Sequence, residues 1–376
     1  MTLYICGSDQ SYYFHLVPIA VIDSFKSLIW TKRYYQTGDF ELYISADKSL
    51  LPYLKKDNFI TRDDDDSIMI IDGIRIATDA ENGDFFIVTG SSAESVLKRR
   101  VFDKPFSISY SGALNQVIQR MLNYFTGDRS LFVLIAPYPR IDNYVIAQFT
   151  GVSLFDAIMS VLQPLGISFK LVMNSSINIM QIQLYQGGEV NVEFSPDFDN
   201  LINSNYITDY TNFANYAYIA GEGEGDQRRV LGMKNAATEP TGYSRREVYV
   251  DARDISSNGG EIPDNEYEEM LNHRGQEKFA EDYSLVESFD AEINPNNPFE
   301  YKTDYNLGDI VTITNEYGIT SKPRIVEIIE SWDETGYNVV PTFENLIESE
   351  TKMLILRDSN GNILRDSTGK VLRVRE

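Results

Sequence analysis

Apolar residues alternate with polar ones over most of this chain and take helical spacing in only a few places, a switch of period that restricts the fold more than any motif does. The runs DFELYISA (39–46), SIMIIDGIRIATD (67–79) and GDFFIVTG (83–90) read as short strands separated by Gly, Asn and Asp. SGALNQVIQRMLNYF instead sets Leu114, Val117, Ile118, Met121, Leu122 and Phe125 on one face of a helix. SLFDAIMSVLQPLGI repeats the pattern with Leu154, Ala157, Ile158, Val161 and Leu162; Ser153 and Asp156 cap its start, and Pro164 with Gly166 stops it. Ser91 and Glu94 are spaced as the capping box of a further short helix. Ile182 and Leu184 before Gly187-Gly188, and Val190, Val192 and Phe194 after it, predict a hairpin turning at the two glycines.

Farther along, YAYIAGEGEGDQRRVLGM reads as a strand entering a mobile Gly/Glu loop, and GGEIPDNEYEEMLNHRGQEKFAEDY as a charged, largely solvated helix. Residues 286–345 return to strand. The 24 Tyr and 20 Phe reinforce the β-rich reading. The order β, α, β, α, β, with strands too clustered for repeated βαβ units, gives an α+β fold. A chain of 376 residues divides into several units. The expected boundaries are 1–110, 111–200 (two amphipathic helices and the hairpin), 201–350 (β-rich with the charged helix) and 351–376.

Catalytic and cofactor signals are thin. His15 and His273 have no metal-ligand neighbour at helical spacing, and the lone Cys6 reads as a small buried apolar residue. GEGEG (221–225) lacks the helix a phosphate loop needs, and its glutamates would repel phosphate. RDDDDS (62–67) lacks the spacing of a calcium loop and reads as a solvated acidic turn. No cofactor, no metal and no catalytic residue is expected. The stretch FHLVPIAVI (14–22) is too short and too poorly flanked for a signal peptide, and no run reaches the ~20 apolar residues of a membrane helix. The expectation is a chain made in the bacterial cytoplasm, without membrane insertion. A formal net charge of −23 argues against stable nucleic-acid binding.

Several stretches together resemble a known family. IDSFKSLIWTKRYYQTGDFELYI (22–44), TGSSAESVLKRRVF (89–102), YIAGEGEGDQRR (218–229), GYSRREVYVDARDI (242–255) and YNLGDIVTITNEYGITSKPRIVEIIESWDETGYNVVPTFE (305–344) stand in the order found in phage tail baseplate hub proteins. These are the hubs of contractile tails and phage-tail-like bacteriocins, and the same fold forms the N-terminal module of siphophage tail-associated proteins. The resemblance implies two tail-tube-like β-barrel domains per subunit and a homotrimer that joins the sixfold tail tube to the threefold spike. It implies as partners the tail tube protein, the central spike protein, other baseplate proteins and a tape measure protein. Many relatives append a peptidoglycan hydrolase or fibre domain; with the sequence ending at 376 the expectation is a non-enzymatic connector. The alternatives are a cell-wall hydrolase and a host-surface-binding module, the latter suggested by the tyrosines. Three chains would carry three times −23, or −69, which predicts an acidic lumen that repels DNA.

The last segment reads against that acidity. LRDSNGNILRDSTGKVLRV (356–374) is an eight-residue unit written twice, with turn dipeptides Asn360-Gly361 and Thr368-Gly369. Residues 352–376 hold six Lys and Arg against three Asp and Glu, a surplus of +3. A three-stranded C-terminal β-meander or a narrow β-solenoid is expected, packing around the threefold axis or docking onto the spike through Arg357, Arg365 and Arg373; the alternative is a lone hairpin folded back onto its own acidic subunit.

Overall fold

The computed structural model describes residues 1–345, apart from 10–14, 79–82, 132, 139–141, 175–178 and 294–297, together with 353–355 and 373–375. Seven strands come first: β1 (Leu3–Asp9), β2 (His15–Ile22), β3 (Ser27–Arg33), β4 (Asp39–Ser45), β5 (Phe59–Arg62), β6 (Ile68–Ala77) and β7 (Phe85–Ser92). They pair antiparallel in the spatial order β3-β4-β7-β6-β5-β1-β2. In β4, Phe40, Leu42 and Ile44 alternate into one core, which Trp30 and Val88 also enter. The start of β6 does not alternate, because it is covered on both faces. Ile68 and Ile70 belong to the core on the helical side, Met69 and Ile71 to the other. Cys6 is buried in the helix-side core, as expected.

The middle of the chain is α1 (Ser95–Lys98), β8 (Phe106–Ala113), α2 (Leu114–Asn123), β9 (Leu134–Ile135), β10 (Asp142–Phe149), α3 (Leu154–Leu162), β11 (Ser168–Asn174) and β12 (Ile179–Tyr185). The two strong helices are as read. Leu114, Val117, Ile118 and Met121 are buried along α2, and the Ser153 hydroxyl accepts the Asp156 N–H (3.1 Å) to start α3. Gly166 stops it in the left-handed region at φ +66. The Ser91–Glu94 capping box does not form. Ser91 stays in β7 and donates to Asp72 (2.7 Å), while Glu94 turns inward to accept the Leu171 N–H (2.7 Å).

The Gly187-Gly188 hairpin is also overturned. β12 pairs with β11 and β9, whereas the next strand, β13 (Glu189–Phe194), pairs in parallel with β19 (Ile310–Thr314). Neither glycine lies at positive φ, so no tight hairpin turn is made. Gly187 is there for close approach, since a Cβ on it would lie 1.9 Å from the Gly308 carbonyl oxygen.

The rest comprises β14 (Leu201–Asp209), β15 (Tyr216–Ala220), β16 (Val230–Lys234), β17 (Glu247–Asp251), α4 (Asp264–Glu281), β18 (Val286–Ile293), then β19, β20 (Thr320–Ser321), β21 (Pro323–Asp333) and β22 (Gly336–Asn345). α4 is not a solvated helix. Tyr267, Met270, Leu271 and Phe279 bury a stripe that packs with Ala217 and Ile219 of β15 and Ile146 of β10. The Gly/Glu loop is tied down by the Glu222 N–H donating to Tyr267 Oη (2.7 Å) and the Arg229 N–H donating to the Glu222 carbonyl (3.0 Å).

The two β-rich halves expected as separate barrels are joined edge to edge. β21 pairs with β3, and one sheet runs β14-β18-β22-β21-β3-β4-β7-β6-β5-β1-β2. No sheet closes among the described residues. Last, β23 (Met353–Ile355) pairs directly and antiparallel with β24 (Arg373–Arg375). A three-strand meander would hold its first and last strands apart and parallel, so these two do not stand in one.

Candidate functional site: the charged seam between the two halves

The seam is the β3–β21 ladder, which brings together residues nearly three hundred positions apart. Its register sets Arg33 opposite Glu327, Trp30 opposite Glu330 and Leu28 opposite Trp332. Above it lies Arg62, from the end of β5. The Arg62 side chain is 0% exposed and that of its partner Glu330 1%. The guanidinium is held between the Trp332 and Trp30 rings, 4.4 and 5.3 Å from their centroids, and donates to both Glu330 oxygens at 3.2 Å.

Glu330 also takes Lys32 Nζ at 3.0 Å and the Tyr337 hydroxyl at 3.0 Å. Asp65 takes Lys32 and Lys302, each at 2.7 Å, and Asp64 takes Arg62 at 2.7 Å. Three cations (Lys32, Arg62, Lys302) thus meet three carboxylates (Asp64, Asp65, Glu330). Burial by itself would raise the Asp65 pKa, but Lys32 and Lys302 outweigh it and hold the carboxyl far below the usual range. For Arg62 burial opposes the charge, and Asp64 with Glu330 overcomes it, so the guanidinium stays protonated throughout.

RDDDDS is the exposed acidic turn expected at Asp63, Asp64 and Asp66, but Asp65 is enclosed and all four carboxylates have partners. Asp63 accepts the Thr2 N–H (2.9 Å), Asp64 and Asp65 are paired as above, and Asp66 is paired with Lys170 of β11. Each aspartate fixes a different part of the chain. With opposite charges matched, the arrangement is suited to resisting shear between two β units.

Next to the cluster, Tyr34 and Arg324 carry the seam into the helical unit. Tyr34 Oη donates to the Gly166 carbonyl (2.9 Å) and accepts the Gly187 N–H (3.3 Å), and Ser168 Oγ donates to the Tyr34 carbonyl. Burial pushes the Tyr34 pKa up. The buried Arg324 guanidinium lies over the Tyr34 ring (5.2 Å) and donates to the Gly308 carbonyl; its Nε has no hydrogen-bond partner among the described residues. Gly308, at φ +95, can be no larger, since a Cβ would stand 2.3 Å from the Tyr34 ring.

Of the expected docking residues, Arg357 and Arg365 lie outside the described residues, and Arg373 opens β24 with its Cα opposite Ile355. The seam residues escape a search for catalytic motifs. Their signal was Glu327 and Glu330 in a strand otherwise rich in Ile and Val, together with the aspartate run. His15 lies in β2, and His273 is partly buried on α4 beside Arg274.

The Siphovirus ReqiPepy6 Gp37-like protein family matches residues 15–343. No curated protein matches the chain. Among solved structures, prophage tail protein gp18 from Listeria monocytogenes EGD-e aligns with a TM-score of 0.54 at 11% identity, covering 93% of this chain and 95% of that one. The 43 kDa tail protein of prophage MuSo2 from Shewanella oneidensis gives 0.51 at 12% identity, covering 91% and 98%. A chain of the lidded Francisella PdpA-VgrG complex gives 0.50 at 12% identity, covering 92% of this chain and 52% of its own. At these identities the likeness is one of fold. Among the described residues, no helix is long and apolar enough to cross a membrane.

Proposed function

This chain belongs to the Siphovirus ReqiPepy6 Gp37-like family of phage tail structural proteins, and from that premise we propose that it is the baseplate hub. In this reading it forms a homotrimeric ring that joins the sixfold tail tube to the threefold spike and anchors the surrounding baseplate. The observation that carries the reading is the unfinished sheet. Among the described residues its path ends at β2 on one side and β14 on the other. β2 exposes Val17, Ile19 and Val21, and Ile207 of β14 is exposed at the far end. β5 pairs with only the first residues of β6, and beyond them Ile74 and Ile76 face solvent. Open edges with apolar side chains favour strand pairing between subunits, and a head-to-tail contact that closes makes a ring.

Each half of the sheet would serve as one tube-like unit, so three subunits present six; the proposed units are 1–110, 111–200, 201–350 and 351–376, with β13 crossing from the second to pair with β19 of the third. Tail tube, central spike, other baseplate proteins and the tape measure protein are the proposed neighbours; the VgrG complex among the fold relatives supports a spike partner. Assembly would occur in the bacterial cytoplasm, with the acidic face toward the lumen. The C-terminal segment, with Arg357, Arg365 and Arg373, would dock on the spike. The test is mass and negative-stain symmetry of the full chain, alone and with its tube protein. A particle of three times 42.8 kDa with a central channel is expected, and Val21→Asp should shift it toward monomer. A chain still monomeric in the presence of tube protein would overturn the reading. Truncation after residue 350 should leave the ring intact and reduce spike retention.

A further inference from the structure

Two loops of the second half emerge side by side. β13 and β19 are parallel, with Phe194 opposite Ile313, so the chain leaves both strands in the same direction. Residues 195–200 follow β13 and residues 315–319 follow β19. Each loop is held from beneath by a buried asparagine. Asn200, 0% exposed, accepts the Ser195 N–H (2.8 Å) and donates to the Glu193 carbonyl (2.7 Å). Asn315 accepts the N–H groups of Tyr317 and Ile319, each at 3.0 Å. Three large apolar side chains nevertheless stand out from these fixed loops: Phe198 is 57%, Tyr317 82% and Ile319 41% exposed. Around them the loops carry Asp197, Asp199 and Glu316 and no Lys or Arg, a formal charge of −3. An apolar patch with a polar rim marks a contact site, and loops already ordered bind at low entropic cost.

The course of β22 indicates what covers the patch. β19 and β22 are both antiparallel to β21, and Ile310, Arg324 and Glu344 stand abreast in the three strands. β22 therefore runs the same way as β19 and delivers the chain to the end that carries the two loops. Tyr317 is seven residues past Ile310 and two strands across from β22, hence at most ~25 Å from Glu344 at ~3.3 Å per residue and ~4.8 Å per strand. The nine residues from Glu344 to Met353 span up to ~30 Å, so β23 can reach the patch. β23 and β24 pair with each other and with no other strand among the described residues. A ribbon of two strands is marginal without a surface to lie on. Its strands contain Met353, Leu354, Ile355 and Val374, and the +3 of residues 352–376 matches the −3 of the loops.

We infer that the C-terminal ribbon β23-β24 docks within its own subunit on Phe198, Tyr317 and Ile319, with its basic surplus toward the three carboxylates. A tether this short holds the ribbon at roughly millimolar effective concentration, so a small patch suffices. A separate protein would meet the same patch without that advantage. Rooted in this way, the segment keeps Arg357 and Arg365 at this end of the subunit, available to the spike contact proposed above. The seat itself is a contact within one chain and does not depend on the hub reading.

The experiment is hydroxyl-radical footprinting of the full chain, read by mass spectrometry at single tyrosines. Tyr243, fully exposed in another loop, is the reference. Tyr317 should be labelled about fivefold more slowly, the protection given by a tethered ribbon seated most of the time. Leu354→Asp/Val374→Asp should bring Tyr317 up to the rate of Tyr243. In the reverse direction, Phe198→Ser/Tyr317→Ser should speed amide exchange at 353–355 and 373–375 about tenfold, and thermal melting confirms that this variant is folded. Tyr317 labelled as fast as Tyr243 in the wild type, or labelling unchanged by Leu354→Asp/Val374→Asp, overturns the proposal. So does protection that grows with protein concentration, which would seat the ribbon of a second copy there. Particle mass and symmetry, which test the hub reading, are read separately from all of these.

Discussion

Glu330→Gln is the sharpest test of the seam. The substitution keeps the shape, removes one charge from a side chain that is 1% exposed, and turns one of two accepting oxygens into an NH2 donor that faces the Arg62 guanidinium. Lys32, Arg62 and Lys302 then face only Asp64 and Asp65, leaving an excess cation at a site where Arg62 is fully enclosed. Removing one member of a buried ion pair costs about 3–5 kcal/mol. Because the Lys302 side chain is 34% exposed and can turn toward water, the lower end, about 3 kcal/mol, is expected. At ~2–4 °C per kcal/mol for a unit of 150–250 residues, the melting temperature falls by roughly 6–12 °C. Differential scanning calorimetry measures the shift, and hydrogen exchange should locate the loosening in β3 and β21. Glu189→Gln is the reference, because the Lys322–Glu189 pair is 60% and 61% exposed and such pairs contribute at most about 1 kcal/mol. The double variant Arg62→Met/Glu330→Leu should recover most of the loss, since apolar replacement of a whole buried pair is often neutral. A Glu330→Gln shift no larger than that of Glu189→Gln would refute the reasoning, as would a double variant no better than the single one.

Three further outcomes follow from single residues. Gly187→Ala should cost about 1–3 kcal/mol through its contact with Gly308, whereas Gly188→Ala, with open space around its Cβ, should stay within about 0.5 kcal/mol of wild type in urea titration. A tight hairpin turn would make both costly. Asp65, its pKa depressed, should add stability that is complete above the unfolded carboxyl range near pH 4 and lost as pH falls below it; Asp65→Asn should flatten that acid limb of the melting curve. His273 is pushed down to about 4 by burial and by Arg274. Its stabilisation is therefore full above its ordinary pKa near 6.5 and declines as pH drops toward 4, with about 2 kcal/mol lost between pH 7 and 5 and the slope abolished by His273→Gln.

Elements with one strong local cause were legible in the sequence. α2 and α3 carry unbroken apolar stripes, and the cap at Ser153 and stop at Gly166 are the ones their residue types predict. Pairing between distant segments was not legible. Gly187-Gly188 looks the same whether it turns a hairpin or lets two backbones meet, and only the position of Gly308 decides. α4 read as solvated because eight Asp, Glu, Lys and Arg side chains surround its buried stripe and blur the period. Glu94 shows the same limit, for a capping-box spacing records only local offsets while its partner, Leu171, lies on another sheet. The aspartate run could be singled out but not interpreted, because its cations come from positions 32, 62, 170 and 302.

A charged seam, and not an apolar one, follows from the problem that β3 and β21 pose. Both strands alternate, so a slip of two residues would keep every side chain on its proper face and cost little in apolar burial. Such a slip would, however, part Arg33 from Glu327 and carry Glu330 away from Arg62 and Lys32, leaving a guanidinium that has no exposed surface with Asp64 as its one carboxylate. Buried ion pairs are poor sources of net stability but strong penalties against the wrong register. Loop closure across nearly three hundred residues gives the ladder no help from chain proximity, so the register must be written into the strands themselves. Two tryptophans enclosing Arg62 reinforce it, because Trp30 and Trp332 flank the guanidinium only when Glu330 stands opposite Trp30. The aspartate run extends the same device beyond the ladder, its four carboxylates fixing the chain start, the end of β5, the Lys32–Lys302 contact and β11 around one point. A subunit locked in this way presents its open edges β2 and β14 in a fixed relation, which a closing ring requires of every copy.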